Sequence, residues 1–177
     1  NDAERLQQFF DEHGHMLACV LTEPVCVNGG SIEPVPGFLE LLRKLCTEHG
    51  VVLIFDEMIT GMRLGVGGAQ ARYGVIPDLA TFEKAIAGGG IPVSAVTGRR
   101  EIMSLLENKK VVHAGTYNGY PLGSAAVHAT FEILSRNNGA ALRDMYERTE
   151  VLHQILTDSA ETVGLPLIVQ GPAELAS

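Results

Sequence analysis

The run Val51-Val52-Leu53-Ile54-Phe55, closed by Asp56-Glu57, constrains the fold more than any other part of this chain. A short, unbroken apolar segment bounded by Gly50 and an acidic pair reads as a strand buried on both faces. Such strands belong to parallel sheets covered by helices. The surrounding pattern agrees. Residues 2–13 read as an amphipathic helix with Leu6, Phe9 and Phe10 on one face. Residues 37–49 read as a second, striped by Phe38, Leu41, Leu42 and Leu45 and ended by Gly50. Further strands are expected at 16–21, 79–82, 92–97 and 165–169, and further helices at 99–106, 121–135 and 140–163. Residues 24–36, with three prolines and two glycines, and the Gly-rich stretch 61–78 are loops. This alternation predicts an α/β fold with a mostly parallel sheet covered on both faces. Ligands of such sheets collect at the carboxyl ends of the strands, where Asp56, Lys84 and Thr116 fall.

Charge and composition narrow the function. The 177 residues carry a net charge of −8, which disfavours a nucleic-acid phosphate backbone as partner. No apolar run approaches the ~20 residues that span a bilayer, so no membrane partner is expected. Cys19, Cys26 and Cys46 are an odd set without a CxxC spacing. They are expected to be reduced packing residues in a cytoplasmic protein, with neither a disulfide framework nor a metal site. The chain opens on Asn1 with no basic, apolar leader, and its last residues do not read as a finished domain, so a piece of a longer protein is expected.

Three constellations carry chemistry. An acid at the tip of a buried strand, here Asp56 followed by Glu57, has three readings. It holds magnesium in a nucleotide hydrolase, pairs with the protonated pyridine nitrogen of pyridoxal phosphate, or caps a helix. The magnesium reading wants a GxxxxGK[ST] phosphate loop, which this chain does not contain. The second constellation is Lys84, set among Phe82, Ala85, Ile86 and Gly88-Gly89-Gly90. Apolar neighbours disfavour the ammonium and free an amine for Schiff-base chemistry, and glycines let backbone approach a flat ligand. The third is Ala114-Gly115-Thr116 ahead of the helix at 121, which offers a backbone N–H and a hydroxyl to a phosphate.

In this order the elements resemble the class III aminotransferases, nearest to glutamate-1-semialdehyde 2,1-aminomutase. The resemblance rests on Glu23-Pro24-Val25 with Asn28, Leu53 to Glu57 with Thr60-Gly61 and Arg63, and Gly68-Ala69-Gln70. It continues through Pro77-Asp78-Leu79, Lys84 to Gly90 with Pro92-Val93, Gly98 to Glu101, and Ala114-Gly115-Thr116 with Gly119 and Pro121-Leu122. It implies an aspartate aminotransferase-like, fold type I large domain over residues 1–135 and the start of a C-terminal small domain over 136–177. It also implies pyridoxal 5′-phosphate as cofactor, a small amino acid or amino-ketone as substrate, and a homodimer that shares its active sites. On this resemblance Lys84 holds the cofactor as a Schiff base and moves the substrate proton, and Asp56 pairs with the ring nitrogen. Met58 lies against the ring, Glu23 and Asn28 lie near the ring oxygen, and Thr116 binds the phosphate of the neighbouring subunit's cofactor.

Three residues depart from the family pattern. Glu83 stands where a small residue usually precedes the lysine, Met62 replaces an aromatic, and Tyr120 replaces a frequent Asn. A carboxylate at 83 adds bulk and favours a protonated lysine. It motivates a second reading, a non-catalytic or truncated homologue of the family.

Overall fold

The structure is a computed structural model that describes residues 1–175. Helix α1 (Ala3–His13) begins at Asp2, whose carboxylate accepts the Arg5 N–H at 2.9 Å. A single 3-10 turn over Gly14–Met16 leads into strand β1 (Cys19–Thr22). Helix α2 (Phe38–His49) ends where Gly50 turns left-handed at φ 67° and donates back to the last helical turn. It turns the chain directly into strand β2 (Val52–Asp56). The short helix α3 (Gly68–Tyr73) connects to β3 (Leu79–Phe82), and β4 (Ala95–Gly98) follows. Three helices complete the chain: α4 (Arg100–Glu107), α5 (Pro121–Ser135) and the 23-residue α6 (Ala140–Thr162). None of the helices is long and apolar enough to cross a membrane.

The strands form one four-stranded sheet in the order β1-β2-β3-β4. β1, β2 and β3 are parallel, with Leu21 opposite Ile54 and Asp56 opposite Thr81, and β4 runs antiparallel to β3. The main core lies between α1, α2 and one face of the sheet. It holds Phe10, Leu39, Leu42, Leu45, Cys46, Leu53 and Phe55. Leu39, Leu42 and Cys46 follow helical spacing, while Leu53 and Phe55 alternate along a strand, so the two periodicities meet in one apolar layer.

A buried carboxylate locks the amino edge of the sheet. Asp78, just before β3, accepts the Leu53 N–H at 2.8 Å and Arg43 Nη1 at 2.8 Å on one oxygen, and Arg99 Nη1 at 3.0 Å on the other. It thus joins α2, β2 and the residue after β4. Burial works to raise its pKa, but the Leu53 N–H, Arg43 and Arg99 outweigh it and hold the carboxyl below its ordinary value.

Several expectations are corrected. β2 is not buried on both faces. Leu53 and Phe55 are buried while Val52, Ile54 and Asp56 are half-buried, because α1 and α2 cover one face only. On the other face apolar side chains stay open, Leu21 at 62% and Val96 at 49% exposure. Residues 165–169 form no strand: they pair with no neighbour, and Pro166 has no N–H for a ladder. The strand expected from Pro92 begins only at Ala95, and the one expected from Met16 is displaced to Cys19 by the 3-10 turn. Cys46 is buried, and burial pushes its thiol up to about 11. Cys19 and Cys26 are exposed rather than packed, since β1 is an edge strand and Cys26 lies in the loop beyond it.

Candidate active site

Parallel pairing of β2 and β3 sets Asp56 beside Thr81 at the carboxyl edge of the sheet. Both hydrogen bonds to the Asp56 side chain fall on Oδ1, from the Met58 N–H at 3.0 Å and Thr81 Oγ1 at 3.3 Å. Among the described residues Oδ2 receives none. Three residues beyond Thr81, the chain turns through Lys84. Its backbone is left-handed at φ 52°, which costs a non-glycine residue roughly 1–3 kcal/mol. Lys84 opens a single 3-10 turn to Ala87, and Gly88, left-handed at φ 68°, closes it by donating to the Ala85 carbonyl. A backbone held in this sparsely populated region aims Lys84 away from the sheet ladder, into an open cavity of about 880 Å³.

Four segments wall that cavity, one of them Leu175 near the far end of the chain. The Lys84 turn contributes Glu83 to Ala85 and Gly88 to Val93. The loop after β1 contributes Val27 and Asn28, and the turn after β2 contributes Ile59 and Arg63. Glu23 sits at the root of the first loop, where its carboxylate accepts the Val27 N–H at 3.2 Å and sets the position of Asn28. Lys84 and Asn28 are therefore brought together. Asp56, Met58, Glu23 and Thr116 do not line this cavity, although Met58 donates to Asp56 and its neighbour Ile59 forms a wall. Thr116 is exposed in the segment before α5. The nearest anchor of that segment is Tyr120, whose hydroxyl donates to the Pro92 carbonyl at 3.1 Å.

Two expectations about charge are corrected. Lys84 is exposed, not desolvated by its apolar neighbours. Phe82 and Ile86 line a different cavity with Met62, so of the apolar and glycine neighbours read around Lys84 in sequence only Ala85 and Gly88 to Gly90 share its cavity. Glu83 beside it is half-buried, and among the described residues neither side chain forms an ion pair. Glu57 is not available to a metal. It is 0% exposed, and both of its oxygens are taken. Oε2 accepts the Ala69 N–H at 2.5 Å and Thr60 Oγ1 at 3.2 Å. Oε1 accepts the Gln70 N–H at 3.2 Å and Gln70 Nε2 at 3.1 Å.

Other residues at the cavity carry no short-range signal. Leu175, 2% exposed, lines it from the far end of the chain. The segment is pinned there by Glu174, whose backbone carbonyl accepts Arg63 Nε at 3.0 Å and whose carboxylate pairs with Arg72 at 2.5 Å. Tyr146 of α6 donates to the Arg63 carbonyl at 2.5 Å, and burial, with the Glu174 charge adding to it, raises the phenol pKa. Residues 63 and 174 are 111 positions apart, beyond what any local periodicity reports.

A family model described as aminotransferase class-III matches residues 1–165. The chain belongs to that family. Solved structures agree with this class III aminotransferase chain in fold as well as in sequence. A transaminase solved with PLP bound is 30% identical and superposes with a TM-score of 0.89, over 98% of this chain and 41% of its own. An omega-transaminase from Sphaerobacter thermophilus is 34% identical, with a TM-score of 0.75 over 92% of this chain and 36% of its own. A β-phenylalanine aminotransferase from Variovorax paradoxus is 32% identical, with a TM-score of 0.75 over 86% and 35%. The class III chain thus spans about two fifths of the length of the transaminases it matches. The mixed α/β sheet with three parallel strands is the expected fold.

Proposed function

We propose that the protein containing this chain transfers amino groups with pyridoxal 5′-phosphate, on a small amino acid or amino-ketone. The observation that carries this reading is that Asp56, the last residue of β2, and Lys84, two residues past the end of β3, lie at the carboxyl ends of adjacent parallel strands. The side chains present fit the cofactor. Oδ2 of Asp56 receives no hydrogen bond within the described residues and is left for a protonated ring nitrogen. The exposed Lys84 amine and Gly88 to Gly90 face one cavity and leave room for a flat ring. When bound, the cofactor supplies an electron sink for charge developing on the substrate carbon.

The chain's own residues then divide the work. Lys84 holds the cofactor through its amine and, once released by substrate, takes a proton from the substrate carbon and returns it. Asp56 holds the proton on the ring nitrogen, with Met58 N–H and Thr81 Oγ1 fixing its orientation. Met58 would lie against the ring, and Glu23 and Asn28, tied through the Val27 N–H that Glu23 accepts, would lie near the ring oxygen. Thr116, exposed and outside the lining of the Lys84 cavity, would bind the phosphate of a neighbouring subunit's cofactor in a homodimer. An aminomutase resembling glutamate-1-semialdehyde 2,1-aminomutase is the finer form of the reading; it rests on the same ordered stretches, which are specific to the family and common to its several substrates. We place the boundary between large and small domains after residue 135. The left-handed Asn137 and Asn138 between α5 and α6 support this, and the second unit runs on to residue 177, beyond the described residues. Three free cysteines support a reducing, cytoplasmic compartment.

Borohydride reduction of the intact protein followed by peptide mass spectrometry tests the assignment. A pyridoxyl adduct on Lys84 is expected, and an adduct on another lysine overturns it. The half-buried Glu83 favours a second reading, a homologue that binds cofactor without turnover. Turnover of the intact protein with an amino donor excludes that reading.

A further inference from the structure

We propose that Glu57 is a positioning residue for Asp56: a fully buried carboxylate that sets the shape of the turn on which the cofactor-facing acid depends. The inference rests on the reading of Asp56 as the ring-nitrogen partner. It starts from a cost. A buried carboxylate without a cation is expensive unless its lone pairs are filled. Glu57 is 0% exposed and forms no salt bridge among the described residues. Its charge is met instead by two peptide N–H groups of α3, the Gln70 amide and the Thr60 hydroxyl. The surroundings are shaped around it. Gly68 is left-handed at φ 65°, and a Cβ there would run into the Glu57 carboxylate. The Gly68-Ala69-Gln70 stretch therefore has one physical account: a residue without a side chain, then two donors for a buried anion.

What Glu57 holds is the turn between β2 and the Lys84 cavity. Its N–H extends the ladder to the Thr81 carbonyl at 3.0 Å, and its own carbonyl accepts the Gly61 N–H at 2.9 Å. Its side chain reaches forward to Thr60 and across to α3. The turn is thus fastened at both ends by one residue. Along it, Met58 N–H supports Asp56 Oδ1, and Ile59 and Arg63 wall the cavity. If Glu57 lets go, Met58 loses its fixed place and Asp56 loses one of its two hydrogen-bond donors. A glutamine at 57 does not substitute. It keeps one acceptor oxygen and turns an amide N–H₂ toward the peptide N–H of Ala69 or Gln70, donor against donor.

The experiment uses the intact enzyme stripped of cofactor and refilled with pyridoxal phosphate. Two readouts are taken on variants whose apo form is folded by near-ultraviolet circular dichroism. These are the cofactor dissociation constant and the induced circular dichroism of the bound cofactor, which reports how the ring is held. Glu57→Gln is expected to weaken cofactor binding about tenfold or more and to diminish the induced band, as loss of a buried charged hydrogen-bond network predicts. Gln70→Ala, which removes one of the four donors, is expected to weaken binding about threefold. A folded Glu57→Gln with both readouts at wild-type values overturns the proposal and leaves Glu57 a purely structural acid. Should Glu57→Gln not fold, Gln70→Ala decides: unchanged readouts overturn the proposal. Failure of the wild-type enzyme to bind pyridoxal phosphate at all overturns the functional reading itself, which separates the two.

Discussion

The two ends of the β2–β3 pair each bury a carboxylate, and they solve the problem of its charge in opposite ways. At the amino edge Asp78 is met by two guanidinium groups, those of Arg43 and Arg99, plus one peptide N–H. At the carboxyl edge Glu57 is met, among the described residues, by four uncharged donors and no cation. Two cations, from α2 and from the residue after β4, and a peptide N–H of β2 make a tie that holds the sheet together. Dipoles from one turn and one short helix make a mould that holds a shape. The mould adjoins Asp56, the proposed ring-nitrogen partner, and the tie lies at the opposite edge of the sheet. The same class of side chain thus serves stability at one end and placement at the other.

Lys84 gives the sharpest test of that division. Lys84→Ala in the intact enzyme should lower turnover by about a thousandfold or more, because attachment and proton transfer go with the amine. Its unfolding midpoint should hardly move. The side chain is exposed and unpaired among the described residues, and removing it costs the fold at most roughly 0.5 kcal/mol. A large loss of stability would show that the carboxyl edge is a tie as well. Asp78→Ala should do the reverse. Leaving Arg43 half-buried and unpaired should cost about 3–5 kcal/mol in denaturant unfolding, with turnover per folded molecule unchanged.

The same residue predicts the acid limb. The folded-state pKa of Asp78 lies below its unfolded value, so its stabilising contribution is present above the ordinary carboxylate range near ~4 and is lost as pH falls through the folded value. Thermal melts of wild type from neutral pH down to acid should therefore lose stability faster than those of Asp78→Asn. Parallel curves would break the link between this ion pair and acid unfolding. The smallest effect expected is at Thr81. Thr81→Val removes the hydroxyl donor to Asp56 and should weaken cofactor binding about three- to tenfold, with little change in melting temperature.

Much of this division was legible before any coordinates. Asp56 at the tip of β2 followed from an apolar run ending in an acid, because a strand packed from above leaves its tip at the sheet edge. Helix α2 followed from Phe38, Leu41, Leu42 and Leu45 and from Gly50 as its stop, although the structure buries Leu39 more deeply than Phe38 or Leu41. The role of Glu57 was not legible. An Asp-Glu pair reads the same whether its second acid faces metal, solvent or a helix start, and only the return of residues 68–70 decides. The surroundings of Lys84 were misread for a related reason. Phe82 and Ile86 are its neighbours in sequence, but the left-handed turn sends them to a separate cavity. The strand expected at 165–169 failed because an apolar segment needs a partner edge as well as a pattern.

By itself the sequence determined most of the helices and the strands β1 to β4 to within a few residues, but missed α3 within the stretch read as loop, because apolar periodicity, caps and glycine stops act locally. It also determined the family, because membership is carried by residue type and order, and it is the source of the proposal that Lys84 and Asp56 are the amine and its acidic partner. Only the tertiary structure decided which acid is buried by dipoles and which by cations, and that Leu175 and Glu174 return to the wall of the Lys84 cavity. Those outcomes depend on groups that meet across 10 to 110 residues of chain, as Glu57 meets Ala69 and Arg63 meets Glu174. Such meetings are chosen by packing and by the need to satisfy buried charge, neither of which is written in any local stretch.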